Sequence, residues 1–316
     1  MQVLLKNTRP YALLEKDSQH GSFSHAYLLL SPDEETLRDY LRFYARAFFF
    51  GNTRALSLIE KEGFCDCLFF PKEGKKLSVE DASLIVEEAG IRPLEGDRKV
   101  FVVDGFHTAS AAVQNKLLKI LEEPPEGVHF LLGAATEFSL LPTVLSRVKK
   151  LDLPPFSPRE IEGFLDRNYP HLSKEDVRFF AAASCGKLSS AKAFIGEGYY
   201  KETVEDAFSL LISSPSTLAP LCKKVADKGR KELLFSVMEF LCRDAAFLGA
   251  GKGLDAYLLS PFYKNQVEKL AKAYPVGALI AFQQSIRKAE KQLKFNANFA
   301  WCLQILMIDF IGKRKG

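Results

Sequence analysis

Asp104 and His107 form one pair of residues whose types and spacing could do chemistry. Asp104 follows the apolar run Lys99 to Val103, as an acid does where a buried parallel strand ends at a polar site. His107 lies three residues later, which suggests a pair of metal ligands. Because a protein metal site needs further ligands and no third one is in view, we predict no metal here.

A carboxylate pair and a cysteine pair are further candidates, and both have simpler explanations. Glu122 and Glu123 could do acid–base work, but they stand directly before Pro124-Pro125, which favours a solvated helix stop. Cys65 and Cys67 have a C-x-C spacing with no second cysteine or histidine pair nearby, which is not a structural zinc pattern. We interpret these cysteines as ordinary thiols in a reducing compartment and assign them no role.

Ser146 and Arg147 form a serine–arginine pair within the sequence LLPTVLSRVKK. Taken alone, beside Lys149 and Lys150, such a pair is typical of a structural or solvated arginine. A fixed arginine can instead stabilise the negative charge that develops on a phosphate during its transfer. The choice between these two roles depends on the elements that surround the pair.

The surrounding stretch predicts a strand, a helix, a strand, a short helix and a strand, which favours parallel strands joined by crossovers. The first helix is expected from Ala109 to Glu122, and the next strand from Val128 to Leu132. Helical periodicity separates a buried set of side chains from an outward set. The buried set is Val113, Leu117, Ile120 and Leu121, and the outward set is Gln114, Lys116, Lys119 and Glu122.

An earlier stretch has the order in which nucleotide-binding proteins place a glycine-rich phosphate loop. Ala26 to Leu30 predicts a strand, and Asp33 to Phe49 predicts a helix. However, no glycine lies between Gly21 and Gly51, and the acidic first turn of the helix would repel phosphate. We therefore predict an ordinary surface helix start here.

The pattern of the whole chain divides it into an α/β part and two helical parts. The α/β part includes a helix from Val79 to Ala89 with Ser78 as its cap, and after Pro154-Pro155 no strand pattern returns. We predict an α/β domain at 1–154, a small helical domain at 155–198 and a helical domain at 199–316. The nearly all-apolar segment Phe299 to Ile311 ends the last domain, which favours a buried core or a subunit interface.

Composition is that of an ordinary globular protein: 316 residues, 47% hydrophobic and 26% charged, with a formal net charge of +4. No apolar run approaches the roughly 18 residues of a membrane span. The first residues also lack the pattern of a signal peptide, so we expect a cytoplasmic protein. The modest positive charge argues against a dedicated nucleic-acid binder and leaves DNA contact to a larger assembly.

Together these motifs resemble the bacterial clamp-loader family of AAA+ proteins. The resemblance is carried by His25-Ala26-Tyr27-Leu28, Asp66 before a strand, Lys99 to Asp104, Leu117-Leu118-Lys119 through Pro125, Leu141 through Arg147, Leu241 through Asp244, and Leu293 with Asn296. It implies an ATPase-like α/β domain, a helical lid and a helical collar that holds five subunits in a ring. The implied partners are ATPase subunits of the gamma/tau type, a delta-type subunit and, through the complex, the sliding clamp and primer-template DNA.

The positions that bind nucleotide in this family are altered here. Against the family pattern, the replacements are Glu34 and Thr36 for glycines, Leu37 for the phosphate lysine, Arg38 for the magnesium-binding hydroxyl, Gly105 for the acid that orients water, and Ser190 for a lid arginine. Residues 50 to 62 also lack the cysteines of the zinc module that many relatives carry. The chain is therefore expected to hydrolyse no ATP, to bind little or no nucleotide, and to hold no cofactor or metal.

Arg147 is retained, and the resemblance implies that it acts, with Ser146, as an arginine finger in the ATP site of a neighbouring subunit. Val148 replaces the family's usual cysteine and keeps the apolar character of that position. The expected function is that of a non-hydrolysing subunit that supports ATP-dependent loading of the sliding clamp onto primed DNA. Two alternatives stay open, a self-sufficient AAA+ ATPase and a clamp-loader-like scaffold outside replication.

Overall fold

A computed structural model describes residues 1–197, 199–251, 258, 263–294 and 297–315. The chain forms two units, Met1–Pro155 and Phe156–Gly316. The finer division of the second unit at residue 198 stays a prediction. Asn296, one of the residues that carry the resemblance, lies outside the described residues.

The first unit is built on a parallel sheet of five strands: β1 (Ala26–Leu30), β2 (Cys67–Phe70), β3 (Lys99–Val103), β4 (Val128–Ala134) and β5 (Lys149–Asp152). Their order is β2-β3-β4-β1-β5, and each neighbouring pair is parallel. Every residue of β3 is buried, as expected for a strand covered on both faces by helices. The predicted strands and their parallel pairing are confirmed.

Seven α-helices are described in this unit: α1 (Gln2–Lys6), α2 (Arg9–Gln19), α3 (Leu37–Ala45), α4 (Thr53–Glu60), α5 (Val79–Ala89), α6 (Ala111–Glu122) and α7 (Pro142–Leu145). Helix α5 begins with the predicted cap, in which Ser78 and Asp81 bond each other's backbone N–H. Ser110 caps α6 by accepting a hydrogen bond from the backbone N–H of Val113.

The core of this unit fixes the sheet against its helices. Phe101 of β3 and Phe130 of β4 stack with their ring centroids 5.4 Å apart, inside a buried cluster that includes Leu117 of α6. On α3, Leu41 lies against Gly133, where an added Cβ would come within 2.6 Å of a Leu41 methyl carbon. Glycine at this position therefore allows α3 to pack closely on β4.

The structure corrects the helix predicted from Asp33 to Phe49. Glu34–Thr36 is a 3-10 turn, α3 begins at Leu37, and a second 3-10 turn follows it. Asp33 is only 3% exposed, and its carboxylate accepts a 2.8 Å hydrogen bond from the Tyr40 hydroxyl. Because this bond holds Asp33 inside the fold in a non-helical conformation, the prediction of an ordinary surface helix start is wrong.

The described part of the second unit is helical and contains no strand. Its α-helices are α8 (Pro158–Asn168), α9 (Lys174–Ala183), α10 (Leu188–Glu197), α11 (Tyr200–Ile212), α12 (Pro215–Ala226), α13 (Lys231–Ala250), α14 (Lys264–Ala273), α15 (Val276–Lys294) and α16 (Phe299–Ile311). Aromatic side chains join several of them, and Phe310 of α16 stacks on Tyr274 at 4.2 Å. The helical character predicted for this part is confirmed.

Helix α16 is both a core helix and a partly exposed one. Leu303, Met307 and Phe310 are buried, while Trp301 and Ile305 are 72% and 65% exposed. Across the residues that the structure describes, none of the helices is long and apolar enough to cross a membrane.

Candidate functional site

The carboxyl edge of the sheet, where a phosphate loop would follow β1, contains an internal arginine. Arg38 donates two hydrogen bonds to the Glu62 carboxylate, at 2.7 Å from Nε and 2.6 Å from Nη2. Its Nη1 donates to the Pro71 carbonyl at 3.0 Å and lies 3.7 Å from Asp104 Oδ2. The chain thus places its own cation next to the acid that ends β3.

The two carboxylates beside Arg38 respond in opposite ways. Burial disfavours the charged form of Glu62, but hydrogen bonds from Arg38 and Arg42 outweigh it and lower the pKa of Glu62. At Asp104 burial dominates, so the pKa is raised although Arg38 counteracts the shift. The edge is therefore an acid-rich, partly neutralised site in which Arg38 supplies the positive charge.

These residues do not fit a nucleotide phosphate. The backbone N–H of Ser31 donates to the Ala134 carbonyl, and that of Asp33 donates to the Ser31 hydroxyl, so neither points freely at a ligand. A phosphate there would also meet the carboxylates of Glu34 and Asp104 instead of a cradle of N–H groups.

His107, suggested by the sequence as one half of a metal-ligand pair, has a structural contact instead. Its Nδ1 accepts a 3.2 Å hydrogen bond from the backbone N–H of Ala135, at the end of β4. Its Nε2 lies 3.4 Å from Glu34 Oε1. Among the described residues, no three or more His, Cys, Asp or Glu side chains are grouped to hold a metal ion.

Arg147 lies one residue beyond the C-cap of α7 and has a defined side-chain geometry. Its Nη1 donates to the Thr143 carbonyl at 2.9 Å and to the Ser146 hydroxyl at 3.2 Å. Its Nη2 donates to Glu122 Oε1 at 3.0 Å, and its Nε is buried without a hydrogen-bond partner. Since the side chain is still 29% exposed, the guanidinium is held in place and accessible from one side.

The backbone of Arg147 is held by a residue next to the start of β1. His25, directly before β1, donates from Nε2 to the Arg147 carbonyl at 2.9 Å, which requires the proton on that nitrogen because a carbonyl only accepts. The Arg147 N–H donates to the Val144 carbonyl at 2.9 Å, and Val144 is fully buried in the core. These contacts tie the position of Arg147 to the rigid sheet.

Arg147 faces an open concavity of about 650 Å³. Its lining residues are Ser24, His25, Glu122, Ser146, Arg147, Val148 and Lys149. The two cations are each paired within the chain, Arg147 with Glu122 and Lys149 with Asp17 at 2.6 Å. An arginine that is partly exposed in such an open concavity can bind an anionic oxygen that approaches from outside the chain.

Gln114 is a residue whose role the sequence did not reveal. It was predicted to face outward, and this prediction is wrong, because Gln114 is only 1% exposed. Its Oε1 accepts from the Leu141 N–H at 2.8 Å, and its Nε2 donates to the carbonyls of Ala109 and Ser139 at 3.1 and 3.0 Å. The loop after β4 covers this side of α6, and Gln114 satisfies its backbone just before α7 and Arg147.

Gln114→Ala is expected to lower the free energy of unfolding by about 2 kcal/mol, because it leaves a buried N–H and two carbonyls without their partner. Urea unfolding followed by far-UV circular dichroism measures this loss. Asn115→Ala is the matched control, since the exposed neighbour on the same helix should change stability little. Equal midpoints for the two variants would contradict the role given to Gln114.

The remaining predicted residues have structural surroundings. Cys67 is buried, and burial raises the pKa of its thiol, while burial and nearby carboxylates also raise that of Cys65. Asp66 is buried and accepts hydrogen bonds from the N–H groups of Leu94 and Glu95, each at 2.7 Å. Neither thiol is activated, and Asp66 serves to fold the segment that precedes β3.

The first unit is an α/β domain with five parallel strands in the order β2-β3-β4-β1-β5, and the described part of the unit that follows is helical. Residues 6–157 match the family described as DNA polymerase III, delta subunit. This match spans just under half of the chain and shows that the first unit is similar to that family.

Tau subunits of DNA polymerase III are similar to this chain over different shares of its length. The chain is 22% identical to the tau subunit of DNA polymerase III from Bacillus subtilis, over 93% of this chain and 57% of that protein. It is 32% identical to the Escherichia coli tau subunit over 42% of this chain and 21% of that protein. The chain thus spans 57% and 21% of the lengths of these two relatives.

Two solved structures illustrate the likeness in the course of the chain. A gamma subunit-related protein from Thermotoga maritima has a TM-score of 0.48 and 17% identity, covering 95% of this chain and 99% of that one. The Bacillus subtilis clamp loader delta protein has a TM-score of 0.39 and 12% identity, with the same coverage of 95% and 99%.

Proposed function

We propose that this chain is a delta-prime-like subunit of the bacterial replicative clamp loader, which hydrolyses no ATP itself and offers Arg147 to the ATP site of an adjacent subunit. The observation that carries the proposal is the position of the Arg147 guanidinium, anchored to the sheet and open to a concavity at the surface. The chain's own phosphate-loop position holds Arg38 and Glu62 instead of a nucleotide cradle.

The chemistry asked of Arg147 is electrostatic. A guanidinium fixed near a γ-phosphate stabilises the charge that builds up on its oxygens in the transition state, and it needs no proton transfer. Arg147 can meet a phosphate through Nη2, because its Nη1 is bonded to the Thr143 carbonyl and the Ser146 hydroxyl and its Nε is buried. Ser146 supports the arginine by accepting one of its N–H groups.

The partners follow from the same proposal. Residues 199–316 form the collar that holds the chain among ATPase subunits of the gamma/tau type and a delta-type subunit. Sliding clamp and primer-template DNA are reached through the assembled loader, in the cytoplasm. The match of residues 6–157 to the family described as DNA polymerase III, delta subunit, and the similarity to a tau subunit support this set of partners.

The alternative of a self-sufficient ATPase is not favoured by the residues at the sheet edge. Asp33 is buried and accepts a hydrogen bond from the Tyr40 hydroxyl, and Arg38 is paired with Glu62. A nucleotide would therefore have to displace contacts that the chain makes with itself. The other alternative is a scaffold that makes no use of Arg147. Arg147→Ala would leave the ATP turnover of a loader with such a scaffold unchanged, which distinguishes it from the proposal.

Clamp loading by a loader reconstituted from the source organism's subunits tests the proposal. With the wild-type chain, labelled clamp is expected to be loaded onto primed DNA in the presence of ATP. When the chain is omitted, the amount of loaded clamp should fall to background. Full loading without the chain would contradict the proposal, and so would failure of the chain to join the other subunits in gel filtration.

A further inference from the structure

Glu122 and Arg147 form an ion pair at the rim of the concavity, with Arg147 Nη2 and Glu122 Oε1 3.0 Å apart. We propose that Glu122 is an exchangeable counter-ion, which holds the arginine until a phosphate group of the neighbouring subunit's nucleotide replaces it. This inference rests on the proposed function and adds regulation to the same site.

Arg147 and Glu122 are held very differently, and this difference decides which side chain moves when the ion pair opens. The backbone of Arg147 is bonded to His25 and Val144, and its Nε is buried. Glu122 is the last residue of α6, and its carboxylate is 56% exposed. An incoming anion can therefore displace the carboxylate into water while the guanidinium stays where the sheet positions it.

The other acceptors around the guanidinium are neutral. Nη1 is bonded to the Thr143 carbonyl and the Ser146 hydroxyl, whereas Glu122 supplies negative charge on the side of Nη2. Because Nη1 is bonded and Nε is buried, an incoming phosphate meets Nη2, and its greater negative charge makes it a stronger partner there than one oxygen of an exposed carboxylate. The exchange therefore favours phosphate, and Glu122 opposes it only in part.

The ion pair with Glu122 can weaken the binding of phosphate to Arg147 only by a limited factor. Exposed ion pairs of this kind change an equilibrium by at most about fivefold. Glu122 should therefore raise the nucleotide concentration at which Arg147 engages without changing the rate once it is engaged. If Glu122 instead oriented Arg147 for catalysis, its removal would lower that rate.

Glu122→Gln tests the inference in the reconstituted loader, because the amide keeps the shape of the side chain and removes its charge. The ATP concentration that gives half-maximal DNA-stimulated turnover is expected to fall by about two- to fivefold, with the maximal rate retained. The matched control is Glu123→Gln, the exposed neighbour that should behave as wild type. Raising the ionic strength should shrink the difference between the two variants.

A half-maximal ATP concentration that is unchanged or raised by Glu122→Gln would overturn the inference, as would a loss of maximal rate. Arg147→Ala, measured in parallel, separates this failure from that of the proposed function. If Arg147→Ala abolishes turnover while Glu122→Gln matches Glu123→Gln, only the counter-ion role is wrong. If Arg147→Ala has no effect, the proposed function fails and the counter-ion role fails with it.

Discussion

A loader reconstituted with the Arg147→Ala variant is expected to hydrolyse ATP at least about 100-fold more slowly at the site next to this chain than the wild-type loader. The reason is that the variant removes the fixed charge that the proposal assigns to the transition state. Phosphate release in the presence of primed DNA and clamp measures the effect. Assembly should be unaffected, because Arg147 is not part of the buried core.

Two variants sharpen the interpretation of this loss. Arg147→Lys keeps the charge but loses the planar guanidinium that the Thr143 carbonyl and the Ser146 hydroxyl hold in place, so it should restore only a small part of the rate. Lys150→Ala removes a nearby exposed cation that pairs with Glu137, and it should leave the rate near wild type. Wild-type turnover with Arg147→Ala in an intact loader would reduce the chain to a scaffold.

Arg38→Met is expected to destabilise the first unit by on the order of 3 kcal/mol. Methionine fills a similar volume but leaves the Pro71 carbonyl without its donor and Asp104 and Glu62 without the shared arginine. Hydrogen exchange of the β1 and β3 amides measures the loss within this unit. The second unit should be unaffected, and the fluorescence of Trp301, the single tryptophan of the sequence, measures this because Trp301 lies in α16.

The deficit of Arg38→Met should depend on pH in a definite direction. The pKa of Glu62 in the folded chain is lowered from its ordinary value of 4.5, so its ion pair adds stability above that pH. This stability is lost as the pH falls through the lowered value, and the gap between variant and wild type should then narrow. The double variant Arg38→Met with Glu62→Gln should recover part of the loss at neutral pH, and no recovery would contradict the pairing.

Much of the fold could be predicted from local pattern. The strands Ala26–Leu30 and Lys99–Val103 are short apolar runs, which a parallel sheet covered on both faces requires. The cap at Ser78 and the bounds of the final helix, Phe299–Ile311, also follow from nearby residues. Each of these features depends on side chains within a few positions of one another.

The features that were missed depend on contacts between distant residues. Periodicity placed Gln114 on the outward face of its helix, but it could not show that the loop before Leu141 covers that face. Glu122 was interpreted as a solvated helix stop, and its pairing with Arg147 across 25 positions has no local signal. Likewise, the sequence shows that Arg38 replaces the magnesium-binding hydroxyl of the family pattern, but the bond of Arg38 to Glu62 appears only in the folded chain.

The most direct test of the central claim, that this chain acts on ATP only through a neighbour, is an add-back measurement. Binding of labelled ATP with Mg²⁺ to the isolated chain is measured first, and the chain is then titrated into the remaining loader subunits while DNA-stimulated turnover is followed. The account predicts no binding by the isolated chain and a rise in turnover that saturates as the chain is added. ATP binding and hydrolysis by the isolated chain, with no stimulation of the other subunits, would contradict it.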